Sequence, residues 1–261
     1  MTDQTLKFAV EDSIATINFY RPEARNVIST PMIAELETAL ERIEKMDALR
    51  ALIITGSGTC FIAGGDIAMM RTAIEQPYDF FLLHDRLTRA GSRLARLRIP
   101  VIAAINGHAF GGGLELAMAC DLRIMATSAK LGLPEVGLGI MPGSGGTARL
   151  VHAIGRERTL YLALTGQPID AARAQELGLV LKVVPDDQAL TAARELGQQI
   201  AAQAPIAAAF IKRAVTLAAD MALDGAIDYC QYAALFLATT RDSREGFDAF
   251  LQKRSPEWRD R

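Results

Sequence analysis

The sequence lacks the features that mark nucleic-acid-binding and membrane proteins. Its 28 basic and 30 acidic residues give a formal net charge of −2, whereas a domain that binds nucleic acid is usually strongly basic. No apolar run reaches the roughly 18–20 residues of a membrane span, and the best candidate, 201–219, is interrupted by charged residues. A signal-peptide pattern is absent from the first residues. We therefore expect a cytoplasmic globular protein with no nucleic-acid or membrane partner.

Metal-binding and nucleotide-binding patterns are also missing. The three cysteines, Cys60, Cys120 and Cys230, are too far apart for a zinc knuckle or a disulfide framework. Only three histidines are present, and none belongs to an H-E-x-x-H motif, so no metal site is predicted. The dinucleotide and P-loop fingerprints are absent, as is the G-x-S-x-G elbow of serine hydrolases. Dehydrogenase, nucleotidase and serine-hydrolase readings are therefore disfavoured.

Aliphatic residues dominate the remaining pattern: half of the chain is hydrophobic and only 6% is aromatic. Strands are predicted at 6–10, 13–19, 51–55, 101–105, 122–125 and 180–184, and helices at 78–97 and 114–119. Another helix is predicted to begin at Thr30 as the N-cap, with Pro31 in the first helical position. We expect an α/β core at 1–200 and a helical segment at 201–261. Alternating strands and helices first suggest a doubly wound parallel sheet.

Two glutamates stand out because their neighbours are apolar. Glu115 lies in the first turn of an apolar helix, and Glu135 lies in a glycine-rich apolar loop. An acid in such surroundings is either paired or functional. Glu115 could instead simply stabilise the helix N-terminus, and Glu135 could be an ordinary loop acid. Together the two carboxylates fit general acid/base catalysis.

Two glycine-rich stretches accompany these acids. Residues 111–113 precede a helix, and residues 61–66 follow a buried strand. Such stretches expose backbone N–H groups that no side chain covers. One N–H from each could form an oxyanion hole for a carbonyl oxygen, although either stretch taken alone is better explained as a tight turn.

Five ordered motifs cover almost the whole chain: 18–26 (NFYRPEARN), 61–67 (FIAGGDI), 100–116 (PVIAAINGHAFGGGLEL), 133–147 (LPEVGLGIMPGSGGT) and 242–256 (DSREGFDAFLQKRSP). Together they resemble the enoyl-CoA hydratase/isomerase family, also called the crotonase family. In place of the doubly wound sheet, the resemblance implies a crotonase-like spiral of ββα units. It also implies a C-terminal helical segment that forms a homotrimer, or a hexamer as a dimer of trimers.

The resemblance assigns roles to individual residues. It implies an acyl-CoA thioester substrate, with Glu115 and Glu135 catalytic and the N–H groups of Ala63 and Gly112 forming the oxyanion hole. Coenzyme A is carried by the substrate, so no separate cofactor is implied. The CoA-binding residues implied by the match are Ala24, Ala63, Gly64, Gly65, Asp66, Ile67, Phe250 and Lys253. The resemblance allows the last two to come from the same chain or from a neighbouring subunit.

The retained glutamate pair favours one reaction of this family. It implies an enoyl-CoA hydratase, which adds water reversibly across the 2,3-double bond of a 2-enoyl-CoA. A 3,2-enoyl-CoA isomerase, or a hydratase for branched, aromatic or carnitine-type acyl groups, is the alternative. A non-catalytic acyl-CoA-binding protein is a third reading, which the intact acid pair opposes. The stretch 69–81 is expected to help line the acyl pocket.

Overall fold

The computed structural model describes residues 4–259 and places the strands in two sheets. The six strands of the first sheet are β1 (Leu6–Glu11), β2 (Ile14–Phe19), β3 (Ala51–Gly56), β5 (Val101–Ile105), β7 (Leu122–Ala126) and β10 (Lys182–Val184). The four strands of the second are β4 (Cys60–Ile62), β6 (His108–Phe110), β8 (Lys130–Gly132) and β9 (Ile169–Asp170).

The helices surround these sheets and dominate the last third of the chain. They are α1 (Thr30–Glu44), α2 (Ile67–Ala73), α3 (Pro77–Arg96), α4 (Gly112–Met118), α5 (Gly146–Ile154), α6 (Arg156–Thr165), α7 (Ala171–Glu176), α8 (Ala189–Ala201), α9 (Pro205–Ala218), α10 (Leu223–Ala238) and α11 (Arg241–Leu251). Two short 3-10 helices cover Pro22–Ala24 and Pro134–Leu138.

The chain alternates between the two sheets as it advances. In the first sheet the order is β1-β2-β3-β5-β7-β10, and every pair except the antiparallel β1–β2 is parallel. The intervening strands β4, β6 and β8 pair in parallel in the second sheet. Each of the units β3–β4 and β5–β6 is followed by a helix. This arrangement confirms the predicted spiral of ββα units, and the doubly wound alternative is wrong.

Continuous apolar strands form the centre of the first sheet. All five residues of β5 are buried, as are the first five of β3, because a parallel sheet is covered on both faces. The crossing from one sheet to the other is tight. A Cβ atom at Gly107 would collide with the carbonyl oxygen of Thr59, so this crossing requires glycine.

Several predicted boundaries need correction. Thr30 is the first residue of α1 rather than its N-cap, because the Ser29 hydroxyl accepts the hydrogen bond from the Met32 N–H at 3.5 Å. The predicted strand at 180–184 is shorter and covers Lys182–Val184. Helix α4 begins two residues before the predicted 114. The remaining predicted strands and the helix at 78–97 are confirmed to within one residue.

The C-terminal helices dock on the body through a buried ion pair. Lys212 of α9 lies 2.7 Å from the Asp121 carboxylate and also donates to the carbonyl oxygen of Ile99 at 3.0 Å. The predicted boundary at 200/201 falls at the end of α8, and the division into two units stays a prediction. Residues 1–3 and 260–261 of those units lie outside the described residues.

No single helix within residues 4–259 has the length and apolar character to cross a membrane. Helices α8 and α9 meet that test only as a pair, and they are bent by 111° relative to each other.

Candidate active site

A cavity of about 520 Å³ lies where the second sheet meets α2, α3 and the start of α4. It brings together four of the five sequence motifs: 18–26, 61–67, 100–116 and 133–147. The predicted residues that line it are Ala24, Ala63, Gly64, Gly65, Asp66, Ile67, Gly112, Glu115 and Glu135.

Asn26 fixes the loop that forms one wall of this cavity. Its backbone adopts a left-handed conformation with φ of 54°, which asparagine tolerates better than most residues. The buried side chain accepts a hydrogen bond from the Arg21 N–H at 2.8 Å and donates to the carbonyl oxygens of Ser57 and Cys60, both at 2.8 Å. These bonds hold the 21–26 turn, including Ala24, against the cavity.

The loop at 63–66 shows which backbone N–H groups are free. The Ala63 N–H donates to the carbonyl oxygen of Arg25 at 3.1 Å, so it is not available to a ligand, and the predicted oxyanion role of Ala63 is wrong. The Gly64 carbonyl accepts from the Ile28 N–H at 2.8 Å. Because C=O and N–H point in opposite directions across a trans peptide, the Gly65 N–H points away from Ile28. It has no acceptor within residues 4–259.

Gly112 presents the second free N–H. It is the first residue of α4, where backbone N–H groups lack intrahelical acceptors. The residues that precede the two free donors are close together, since a Cβ atom at Gly111 would lie 3.7 Å from Gly64 Cα. Gly65 and Gly112 each follow one of these two residues in the chain, and both line the cavity.

Glu115 is buried and held through one oxygen only. Its Oε1 accepts hydrogen bonds from the N–H groups of Ser144 at 2.7 Å and Gly146 at 2.8 Å. Burial raises the pKa of Glu115, and these two hydrogen bonds oppose that rise by stabilising the charged form. The second oxygen, Oε2, has no hydrogen-bond partner in the described part of the chain and is free to act on a ligand.

Ser144 and Gly146 were not predicted as site residues. Their contribution comes from backbone N–H groups, which leave no side-chain signature. The only sequence signal was the glycine-rich run at 142–146 that precedes α5.

Glu135 has a different environment. It lies in the 3-10 helix Pro134–Leu138, with 9% of the residue exposed. Its Oε2 is buried without a hydrogen-bond partner among residues 4–259. Burial raises the pKa of Glu135 to about 7, and the nearby charge of Glu115 adds to the rise. At neutral pH a substantial fraction of Glu135 therefore carries a proton.

Each carboxylate approaches one of two consecutive glycines. A Cβ atom at Gly111 would lie 3.0 Å from Glu135 Oε1, and one at Gly112 would lie 3.9 Å from Glu115 Oε2. A Cβ at Gly112 would also collide with Ile28 Cδ1 at 2.7 Å. The missing side chains therefore leave room for a ligand between an acid, a base and two free N–H donors.

Apolar side chains line much of the rest of the cavity. They are Ile33, Met69, Met70, Leu83, Leu87, Leu138 and Ile140. Of the predicted stretch 69–81, only Met69 and Met70 reach the cavity. His84 of α3 lies among them, and its Nδ1 is 3.0 Å from the Phe80 carbonyl oxygen. Since a carbonyl only accepts hydrogen bonds, Nδ1 carries the proton.

Two predicted CoA-binding residues lie away from the cavity. Phe250 of α11 is 82% exposed, and Lys253 follows the same helix with φ of 54°. Neither lines the cavity of its own chain. Their predicted role therefore requires a neighbouring subunit.

A metal site is not found in the described part of the chain. No group of three or more His, Cys, Asp or Glu residues is arranged to hold an ion within residues 4–259.

Comparisons with known proteins find relatives that are similar over nearly the whole chain. The family model described as enoyl-CoA hydratase/isomerase matches residues 9–261. A probable enoyl-CoA hydratase of Mycobacterium bovis is 38% identical over 261 residues, which cover 99% of each chain. A short-chain-enoyl-CoA hydratase of Clostridium acetobutylicum is 37% identical over 95% of this chain and 94% of its own. The crystal structure of an enoyl-CoA hydratase from Bacillus anthracis matches with a TM-score of 0.95 and 35% identity, covering 99% of this chain and 100% of that one.

Proposed function

The chain belongs to the enoyl-CoA hydratase/isomerase family, and from this membership we infer that it is an enoyl-CoA hydratase, a hydro-lyase. It adds water reversibly across the 2,3-double bond of a 2-enoyl-CoA thioester. One observation carries the assignment: two buried glutamates with unlike environments converge on Gly111 and Gly112, beside two free backbone N–H groups.

The two N–H donors have the first role in the proposed reaction. The N–H groups of Gly65 and Gly112 would bind the thioester carbonyl oxygen, with Gly65 replacing the predicted Ala63. As water attacks C3, negative charge develops on this oxygen, and fixed N–H donors stabilise it without reorganisation. The C-terminal residues of the 61–67 motif and the start of α4 therefore form one binding site for the enolate.

The two carboxylates move the protons. Glu115 is the base, because hydrogen bonds from Ser144 and Gly146 stabilise its anion and leave Oε2 free. It removes a proton from water while the oxygen bonds to C3 and the π electrons move onto the thioester oxygen. Glu135 is the acid, because burial keeps it partly protonated near neutral pH. It delivers a proton to C2 as the enolate collapses, and the proton on Glu115 then returns to Glu135 or to solvent.

Coenzyme A is part of the proposed substrate, so the reaction needs no separate cofactor. Ala24, Gly64, Asp66 and Ile67 would contact its adenine and pantetheine portions. Asp66 also accepts a hydrogen bond from the Met69 N–H at 3.1 Å as the N-cap of α2, which fixes the wall that the pantetheine follows.

We also propose a homotrimer, or a hexamer built from two trimers. Three large apolar side chains of α11 are strongly exposed: Phe247 at 72%, Phe250 at 82% and Leu251 at 77%. A neighbouring subunit would cover this face and receive Phe250 and Lys253 at its CoA site. The cytoplasmic location stays a prediction from the sequence.

The first test is an assay with crotonyl-CoA and longer 2-enoyl-CoA thioesters, followed through loss of the conjugated enoyl absorbance. Glu115→Gln and Glu135→Gln should each lower kcat by about 10²- to 10⁴-fold. Glu37→Gln is the matched control, since its carboxylate pairs with Arg86 outside the cavity. Folded wild-type protein that leaves every thioester unchanged would contradict the assignment.

Product mass separates hydration from the alternative isomerisation. Hydration adds one water to the thioester, whereas a 3,2-enoyl-CoA isomerase leaves the mass unchanged. The retained Glu115 favours hydration, because an isomerase needs no second carboxylate to activate water.

A further inference from the structure

The segment that holds Glu115 is itself held by Arg149. The Arg149 guanidinium donates from Nη1 to the Ser144 carbonyl oxygen at 3.1 Å. The Ser144 N–H is one of the two donors to Glu115 Oε1. Arg149 is therefore hydrogen-bonded to Ser144, the residue whose N–H is hydrogen-bonded to Glu115.

Gly145 shows how closely the guanidinium follows this segment. Its φ is +96°, and a Cβ atom there would collide with Arg149 Nη1 and lie 3.2 Å from Cζ. The guanidinium thus occupies the space that a side chain at Gly145 would need, between Ser144 and Gly146 in the chain. The Arg149 N–H also donates to the Gly145 carbonyl at 3.0 Å, which fixes the segment to the first turn of α5.

Arg149 differs from the arginines of α3 that bind carboxylates, which are Arg86, Arg89 and Arg93. It is half-buried, and no carboxylate within residues 4–259 forms a salt bridge with it. Burial lowers the pKa of Arg149, and the charge of Glu115 opposes that change. Glu115 is thus the carboxyl group whose charge most favours the charged guanidinium, and Cys120 acts in the same direction.

On the assumption that the proposed hydratase function is correct, we propose that Arg149 is a positioning residue for Glu115. It holds the Ser144–Gly145–Gly146 backbone so that both N–H groups point at Oε1, which leaves Oε2 directed at water. Its charge also favours the carboxylate form that a base requires. Arg149 does not line the cavity, so it acts on the substrate only through Glu115.

Other titratable groups also surround Glu115. His84 of α3 and Arg149 of α5 both lower the pKa of Glu115 through their charges, and the Glu115 charge raises the pKa of Glu135. Cys60 of β4 and His108 of β6 line the same cavity. A test of Arg149 must therefore separate its effect from that of His84.

The experiment compares Arg149→Met and Arg149→Lys with the wild type. Arg149→Met removes the charge and the hydrogen bond, so kcat with crotonyl-CoA should fall about 10- to 100-fold, as small misplacements of a reacting group do. KM should stay within roughly threefold, because the arginine does not contact the substrate. Arg149→Lys keeps the charge but loses the planar guanidinium, so its kcat should lie between those of Arg149→Met and the wild type.

A titration that does not depend on activity completes the test. The carboxyl carbons of ¹³C-labelled glutamate are followed by NMR, with the Glu115 signal assigned by its loss in Glu115→Gln. Arg149→Met should raise the pKa of Glu115, and Arg149→Lys should leave it close to the wild-type value. His84→Gln, measured alone and together with Arg149→Met, shows how much of the rise belongs to each group.

Arg123 provides the matched control. It is also a buried arginine that donates to backbone carbonyls, those of Leu179 at 2.6 Å and Cys120 at 2.7 Å, away from the cavity. Arg123→Met should lower the midpoint of thermal unfolding while kcat per folded enzyme and the Glu115 titration stay unchanged. If Arg149→Met does not fold, Arg149→Gln removes the same positive charge and replaces it in the experiment.

The outcomes are distinct. A kcat within twofold of the wild type and an unchanged Glu115 titration in Arg149→Met would overturn the proposal. A wild type that hydrates no enoyl-CoA would instead overturn the proposed function, while the titration would still decide whether Arg149 controls Glu115.

Discussion

Glu115 and Glu135 have the same functional group, and their surroundings give them different roles. Two N–H donors 2.7 and 2.8 Å away stabilise the charge on Glu115. Among residues 4–259, one oxygen of Glu135 is buried without a hydrogen-bond partner, and burial raises the pKa of this carboxyl group to about 7. Pairs of carboxyl groups whose environments separate their pKa values are a general way to supply an acid and a base from one residue type.

The pKa of Glu135 predicts how hydration depends on pH. Only its protonated form can donate to C2, so kcat/KM for crotonyl-CoA should fall as the pH rises through about 7. Glu135→Gln has no proton to lose in this range, so its residual activity should lack that alkaline limb. Initial rates at low substrate concentration between pH 5.5 and pH 9 give the profile.

The reverse reaction gives an internal check on this prediction. Hydration takes up no net proton, so the ratio of kcat/KM values in the two directions is independent of pH. Dehydration of 3-hydroxybutyryl-CoA must therefore show the same alkaline limb. An apparent pKa far from 7, shared by the wild type and Glu135→Gln, would assign the limb to a different group.

At the scale of elements, the start of α5 controls the position of Glu115. A Cβ atom at Gly146 would lie 2.8 Å from Glu115 Cγ and 3.1 Å from Oε1. Gly146→Ala should therefore displace the carboxylate and lower kcat about 10- to 100-fold. The helix itself should tolerate the change, because alanine is favoured over glycine in helices. Steady-state kinetics and thermal unfolding of the same preparation separate these two effects.

Gly137 provides the matched control for this substitution. It lies in the 3-10 helix that carries Glu135, and a Cβ atom there would have nothing within 4 Å. Gly137→Ala should leave kcat within about twofold of the wild type, since it makes no new contact. Equal losses in both alanine variants would indicate a general effect of stiffening the backbone rather than displacement of Glu115.

The strands that sequence could predict are those with a local pattern. Strands β3 and β5 are continuous apolar runs, which a covered parallel sheet requires. The strands β4, β6 and β8 have only three residues each, and glycines lie in them or within two residues of their ends. Their pairing depends on neighbours distant in the chain, so no local period marks them. The N-cap of α1 was misplaced by one residue because Ser29 and Thr30 are both good capping types.

In the candidate site, side-chain features could be predicted from the sequence, whereas backbone directions could not. Glu115 and Glu135 could be predicted because an acid among apolar residues is unusual in any fold. The choice between Ala63 and Gly65 depended on which way each peptide points, and that is set by hydrogen bonds to Arg25 and Ile28. The direction of a peptide group does not depend on the residue type, so the sequence does not reveal it.

At the scale of the whole molecule, one buried ion pair connects the C-terminal helices to the central sheet. The Lys212 side chain is 8% exposed and lies 2.7 Å from Asp121. Asp121 also accepts from the Val101 N–H at 2.7 Å, at the start of β5. Burial raises the pKa of Asp121, and the Lys212 charge opposes the rise. The pair thus joins α9 to a strand that precedes it by about a hundred residues.

Breaking this pair from one side should be costly. Lys212→Met leaves Asp121 buried without its cation and should lower the free energy of unfolding by ~3–5 kcal/mol. The double variant Lys212→Met/Asp121→Asn should recover roughly half of that loss, since asparagine still accepts from the Val101 N–H without a charge. Urea unfolding of the wild type, Lys212→Met, Asp121→Asn and the double variant gives the coupling energy between the two groups. Additive losses would show that the two groups do not stabilise each other.

The exposed end of α11 connects the proposed assembly to substrate binding. Phe250 and Lys253 lie outside the cavity of their own chain, so an effect of either residue on substrate binding requires a neighbouring subunit. Lys253→Glu should raise KM for crotonyl-CoA about tenfold, equivalent to ~1.4 kcal/mol, with kcat little changed. The crotonyl thioester of N-acetylcysteamine lacks the CoA phosphates, so its kcat/KM should be unaffected. Sedimentation of the same variant shows whether the oligomer persists. An intact trimer with an unchanged KM would remove Lys253 from the CoA site.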